Sequence, residues 1–426
     1  MRSTTRIRTV LAAVLTAALT LLATLAGTLP REASAAVTSQ AANTPQAAQP
    51  STSCPNRTLP PAPVDTSEKP PPGEASPAPL PVPENPAGGD RMAECGIVVP
   101  PGSPEPPQDI TAAAWLVQDL DTGEVLAAKD PHARHRPASL IKTLLALVVL
   151  EELRPDHVVV ATKADAEQEC TCVGIVAGGE YRVDELVNAL LMRSGNDVAH
   201  ALATALGGTD VAVEKMNALA EWLGAADTRA ATPSGLDGPG MMTSAYDMSL
   251  VFRHAMQQPG YAEAVGMREM RFPGGLDQPD FPIYNDNPLW PTYAGFIGGK
   301  TGFTDDARHT YAGAAERDGR RLGVVMLRAE QQPARVADQA ARLLDYGFTL
   351  AAAGSGAVGT VTSAPVTGEL AEGEASEGEL SFAGVTDTPP DDPFGTTGWI
   401  VTLFVTLLVI AGLLVGHRKG MLRRPD

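Results

Sequence analysis

Cations, cysteine and histidine are all scarce in this chain of 426 residues. Lys and Arg total 32 against 50 Asp and Glu, a formal net charge of −18. A surface of that sign repels a phosphate backbone, so nucleic acid is excluded as a partner. Only four cysteines occur, and no histidine stands at zinc-ligand spacing from them. The seven histidines include the close pair His132 and His135 but no H-E-x-x-H, which argues against a zinc peptidase. No metal or other cofactor is expected. From Ala351 to Gly395 there is no Lys or Arg at all, while Glu, Asp, Gly, Ala and Thr abound. Such a stretch has too little apolar surface to bury, and residues 351–397 read as an acidic flexible linker.

Long apolar runs are confined to the two ends. Arg2, Arg6 and Arg8 precede an apolar run from Val10 to Leu29, followed by Ala33-Ser34-Ala35, a small-x-small cleavage site. Residues 1–35 therefore read as a secretory signal peptide. At the other end, residues 398–416 are apolar apart from Thr402 and Thr406, with Trp399 at the edge and His417, Arg418, Lys419, Arg423 and Arg424 following. About 19 residues at 1.5 Å each span roughly 28 Å, enough to cross a bilayer. The basic residues 417–426 predict a short cytoplasmic tail. The expected topology is a single-pass cell-membrane protein with its folded domain on the extracytoplasmic side.

Residues 36–108 hold about half of all the prolines. Proline lacks a backbone donor and does not build helix or sheet interiors, so this stretch is expected to be an extended spacer. Export permits disulfides, and an even cysteine count fits full oxidation. Three pairings are open. The favoured one ties the spacer into a loop through Cys54 and Cys95 and joins Cys170 to Cys172, although a C-x-C bridge closes a very small ring.

The remaining residues, 109–350, suffice for one large domain with a real core. Apolar runs at 114–120 and 124–129 flank Asp121-Thr122-Gly123, and runs at 311–317 and 321–327 flank Asp318-Gly319. Both patterns predict hairpins. Helical periodicity covers 140–153, 183–192, 198–206, 211–223, 245–256 and about 334–346, with Thr243 or Ser244 as a cap for the fifth. Strands at both ends with helices between predict an α+β domain, one antiparallel sheet built from both ends of the domain with flanking helices.

Three short motifs then carry the chemistry: Ser139-Leu140-Ile141-Lys142, Ser194-Gly195-Asn196 and Lys300-Thr301-Gly302. A Ser and a Lys at i and i+3 share one helix face. A serine hydroxyl becomes a nucleophile when a base removes its proton, and lysine serves only if burial or a nearby cation lowers its pKa. Lys300 is the candidate cation. Ser194 stands between two predicted helices and can pass a proton to a leaving amine, while Asn196 can hold substrate and orient Lys142. Lys300 and Thr301 suit a carboxylate, and Gly302 lets a substrate approach the backbone closely. A sheet-edge strand at this point would dock an acyl substrate by backbone bonding.

The order and spacing of these motifs, roughly 55 and then roughly 100 residues apart, match the S-x-x-K, S-x-N and K-T-G set of penicillin-interacting serine acyl-transfer enzymes. The chain resembles a serine-type D-alanyl-D-alanine carboxypeptidase, a low-molecular-mass penicillin-binding protein. Supporting phrases are Asp121-Thr122-Gly123-Glu124, Arg136-Pro137-Ala138-Ser139, Thr232-Pro233-Ser234-Gly235-Leu236-Asp237, Thr243-Ser244-Ala245-Tyr246-Asp247 and Leu344-Asp345-Tyr346-Gly347-Phe348. The resemblance implies a peptidoglycan stem peptide ending in D-Ala-D-Ala as substrate and β-lactams as inhibitors. It also implies Ser139 and Phe303 backbone N–H groups as oxyanion donors. Two departures stand out. An acidic linker and an apolar run follow where many members carry a β-rich domain and an amphipathic anchor. Phe303-Thr304-Asp305-Asp306-Ala307-Arg308-His309 follows K-T-G where many members have a tighter run. A serine β-lactamase is the nearest rival, disfavoured by Ser-Gly-Asn in place of Ser-Asp-Asn. A non-hydrolytic β-lactam sensor or cell-wall receptor is the rival of another class.

Overall fold

The structure, a computed structural model, describes residues 54–169 and 171–362. Its strands are β1 (Ile97–Val98), β2 (Ala114–Asp119), β3 (Glu124–Lys129), β4 (Val158–Val160), β5 (Glu180–Arg182), β6 (Glu269–Phe272), β7 (Phe281–Tyr284), β8 (Phe296–Thr304), β9 (Arg308–Arg317), β10 (Arg320–Ala329) and β11 (Gly359–Thr360). The helices are α1 (Lys142–Glu152), α2 (Lys163–Ala166), α3 (Val183–Arg193), α4 (Asn196–Ala205), α5 (Thr209–Leu223), α6 (Ala245–Gln257), α7 (Pro259–Gly266) and α8 (Val336–Ala352).

The main sheet runs β1-β3-β2-β10-β9-β8, every neighbour antiparallel, with β11 also on β3. Strands from both ends of the domain thus meet at β2–β10. Successive side chains of a strand point to opposite faces, and here both faces are covered. Trp115, Val117, Val324 and Met326 pack with Ala340, Leu343 and Leu344 of α8. Leu116, Val325, Leu327 and Ala314 join a larger core with Leu144, Leu145, Val251 and Phe252 of the intervening helices. That explains why β2 and β10 read as continuous apolar runs. Asp318 and Gly319, at φ 52° and 76°, make the tight β9–β10 turn. Ser244 caps α6 by accepting from Asp247 N at 3.1 Å.

Two expectations about the flanks are corrected. Residues 351–362 do not begin a flexible linker: α8 continues to Ala352, and β11 fills the sheet edge beside β3. Val358 and Val361 are buried there, and the Val358 and Val361 N–H groups donate to Val125 O and Gly123 O at 2.8 and 2.6 Å. A few apolar residues suffice when an edge lies open to receive them.

The proline-rich stretch is likewise no free spacer from Cys54 onward. It lies against the domain as a strap closed by a Cys54–Cys95 disulfide across 41 residues. Proline cannot donate, but its carbonyls accept, and a buried Arg134 guanidinium donates to Thr58 O, Leu80 O and Pro81 O at 3.0, 2.6 and 2.7 Å. Asp227 neutralises Arg134 at 2.9 Å and also accepts from His132, whose other ring nitrogen meets Ala87 O at 3.0 Å. Basic side chains of the domain thus replace the donors that the strap lacks. The Cys170–Cys172 pairing involves Cys170, which lies outside the described residues, as does the membrane-spanning run 398–416. Among the described residues, no helix is long and apolar enough to cross a membrane.

Candidate active site

Ser139 lies in a 3-10 turn, Ala138–Ile141, that leads directly into α1, so the helix begins two residues later than its apolar pattern predicts. Ala138 holds a positive φ of 47°, a conformation an L-residue adopts only when its surroundings impose it. They do: Pro137 O accepts from Thr310 Oγ1 of β9 at 2.9 Å, and Gly235 presses on Ala138. A Cβ on Gly235 would stand 2.1 Å from Ala138 O, and its φ is 84°. Only glycine lets that loop lie so close to the turn.

The i, i+3 relation brings Lys142 Nζ to 2.8 Å from Ser139 Oγ. Lys142 is wholly buried and also donates to Asn196 Oδ1 at 2.8 Å and to Ser234 O. Burial, reinforced by the positive charge of Lys300, drives its pKa well below the usual lysine value, against the opposing pull of Asp197 and Asp286. Its charged form is thus disfavoured where it stands. Lys300, on β8 and also buried, is pushed down to about 8 by burial, with Asp286 opposing. Its Nζ donates to Thr301 O at 2.7 Å.

The turn between α3 and α4 carries the second motif. Ser194 ends α3 in the left-handed region (φ 61°), and Asn196 opens α4. Asn196 is fixed from behind, its Nδ2 donating to Glu169 O and its N to Thr171 O, each at 2.7 Å. Asp197 accepts from the N–H groups of Val173, Gly174 and Ile175, so residues 171–175 are strapped over the motif. Ser194 is buried beside this cluster. Among the described residues, no hydrogen bond joins its hydroxyl to Ser139, Lys142 or Lys300.

The third motif follows β8 along the cleft. Thr301 Oγ1 lies 3.3 Å from Asp286 Oδ1. A Cβ on Gly302 would stand 2.9 Å from Ser139 N, so the β8 backbone passes directly beside the nucleophile's turn. Phe303 is half-exposed and carries the Arg308 guanidinium over its ring at 5.6 Å. Ser139, Lys142, Asn196 and Lys300 are thus gathered around one buried amine, with Thr301, Gly302 and Phe303 on the adjoining strand. The sequence reading missed Ser234 O as a partner of both Ser139 Oγ (3.4 Å) and Lys142 Nζ. It also missed Asp286. The phrase around Ser234-Gly235 was the available signal; Asp286 sits in a segment with no motif of its own.

Known proteins are similar to this chain over the same stretch. A family model described as D-alanyl-D-alanine carboxypeptidase, peptidase S11, matches residues 101–331. The D-alanyl-D-alanine carboxypeptidase DacB2 of Mycobacterium tuberculosis is 47% identical over 256 residues, covering 59% of this chain and 87% of the relative. A crystal structure of a D-alanyl-D-alanine carboxypeptidase from the same organism superposes with a TM-score of 0.58 at 45% identity, over 63% of this chain and 100% of that one. A Streptomyces DD-transpeptidase superposes at 0.55 and 26% identity, over 58% of this chain and 100% of its own. With the family model spanning more than half of its length, this chain belongs to the D-alanyl-D-alanine carboxypeptidase family, peptidase S11.

Proposed function

We propose that this chain is a serine D-alanyl-D-alanine carboxypeptidase that removes the terminal D-alanine of peptidoglycan stem peptides through an ester at Ser139. The observation that carries this reading is the buried Lys142 amine 2.8 Å from Ser139 Oγ, with Lys300 placed to keep it neutral. Neutral Lys142 takes the hydroxyl proton as Ser139 Oγ attacks the scissile carbonyl. The Ser139 and Phe303 N–H groups stabilise the resulting oxyanion. Lys300 and Thr301 bind the terminal carboxylate. The C–N bond breaks as the D-alanine nitrogen receives a proton by way of Ser194, and Asn196 keeps the peptide and Lys142 in register. Water then attacks the ester, with Lys142 again accepting a proton, and Ser139 is regenerated. Penicillin is proposed to acylate Ser139 with opening of its β-lactam C–N bond, the amine staying tethered, and to block the second step.

The direct test is release of free D-alanine from a peptide ending in D-Ala-D-Ala by the purified protein. Release by the wild type and none by Ser139→Ala supports the reading. Equal release by both sinks it.

We also propose extracytoplasmic placement, with residues 1–35 as export signal and 398–416 as a membrane anchor. The apolar runs and their basic flanks support this. Deleting everything after Gly395 should yield an active, freely soluble protein. Retention of that truncated form in salt-washed membranes would contradict the anchor.

A further inference from the structure

The strap reaches the cleft itself. Arg136, buried three residues before the nucleophile, clasps the Glu68 carboxylate with Nε and Nη2 and donates from Nη1 to Pro61 O at 2.8 Å. Asp306, buried in the turn after β8, accepts from Val64 N and, at 3.4 Å, from Ser67 Oγ. Asp306 belongs to the acidic run after K-T-G noted as a departure from the family pattern. Its role is thus to hook the strap.

The position of that hook along β8 matters. Lys300, Gly302 and Thr304 alternate onto one face of the strand, about 7 Å apart. Lys300 meets the Lys142 cluster, Gly302 meets Ser139 N, and Thr304 Oγ1 donates to Asp237 at 3.0 Å. One carboxylate oxygen from each of Glu68, Asp237 and Asp306 lies within 4.8 Å of the others. The strap therefore stands one strand repeat beyond the nucleophile, on the side away from Lys300. On the function proposed above, Lys300 and Thr301 hold the leaving D-alanine's carboxylate and Ser139 faces the scissile carbonyl. The peptide upstream of D-Ala-D-Ala must then run along β8 toward Thr304.

From this geometry we infer that Val64–Glu68 form the end wall of the acyl side of the cleft and set selection by the residues preceding D-Ala-D-Ala. The wall lies ahead of residues 101–331, the part matched by the family model, so this specificity element is additional to the shared catalytic core. It acts by position: Arg136 and Asp306 fix the strap, and the strap confines the upstream peptide.

Two variants test it in the full chain. Glu68→Ala removes the Arg136 clasp, and Val64→Pro removes the N–H offered to Asp306, in a stretch already rich in proline. Three rates are compared: D-alanine release from N-acetyl-D-Ala-D-Ala, release from a pentapeptide ending in L-Lys-D-Ala-D-Ala, and penicillin ester formation at Ser139. Each variant should lose about tenfold in kcat/KM for the pentapeptide, through KM, while the dipeptide and penicillin rates stay within about twofold. An unchanged ratio of pentapeptide to dipeptide would overturn the inference. So would an equal fall in all three rates, which marks a purely structural strap, or a gain with the pentapeptide, which marks an obstruction. Failure of the wild type to release D-alanine from either peptide would refute the function first and this inference with it.

Discussion

On the mechanism proposed above, the reactivity of Ser139 depends on two lysines whose charges conflict. Lys142 must be neutral to accept a proton, and Lys300 must be charged to bind a carboxylate. Burial, with the cation at Lys300 beside it, holds Lys142 well below its usual range, and burial lowers Lys300 to about 8; the mechanism requires Lys142 to lose its proton first. Activity should therefore rise with pH as Lys142 loses its proton and fall again near pH 8 as Lys300 does, giving a bell in kcat/KM. Lys300→Ala should remove the upper limb and shift the lower one to higher pH, because the charge that depresses Lys142 is gone. An unmoved lower limb would contradict the coupling. Stability obeys the same logic. Between about pH 8 and the ordinary lysine value the unfolded chain binds more protons than the folded one, so stability rises with pH across that window. Lys300→Met should flatten this rise in urea melts repeated from pH 8 to 10; a slope as steep as the wild type's would contradict it.

At the level of elements, the site is a junction between a sheet edge, the first turn of α1 and two loops. Ser139, Lys142, Asn196 and Lys300 were legible in the sequence because short motifs specify local geometry: an i, i+3 pair, a turn between helices, a strand. The loop carrying Ser234 and Gly235 has no such local signature, since its closeness to Ala138 arises from tertiary packing across about a hundred residues of chain. Gly235→Ala should force the loop or the Ala138 turn to move. The positive φ alone costs about 1–3 kcal/mol, measurable as a lower urea midpoint, and penicillin ester formation should slow as the turn shifts. A variant with wild-type stability and acylation would show that this contact does not hold the nucleophile. The hairpin β6–β7 and the short pair β4–β5 carry too few residues to leave a clear alternation, so they went unread. Both hairpins marked by Gly at a tight turn, by contrast, were placed correctly.

Over the whole molecule, the proline-rich stretch was the least legible part. Composition argues against secondary structure there, and the described part, from Cys54 onward, has almost none. What composition does not encode is that proline-rich carbonyls can anchor a chain when the domain supplies Arg134, Arg136 and His132 to them, beside the Glu68 and Asp306 contacts. The cysteines were the one signal that tied it down. In the chain-entropy view, closing 41 residues contributes about 4 kcal/mol to stability by constraining the unfolded chain. A Cys54→Ser, Cys95→Ser double variant should unfold at markedly lower denaturant, and an unchanged midpoint would mean that side-chain anchoring alone secures the strap.

The acyl-enzyme remains the hinge of the account, and peptide mapping of the penicillin-treated protein by mass tests it most directly. The account predicts an added mass equal to one penicillin on the peptide containing Ser139, absent from Ser139→Ala and strongly slowed in Lys142→Ala, by roughly 10³-fold or more. An adduct on any other residue, or undiminished labelling of Ser139→Ala, would contradict it.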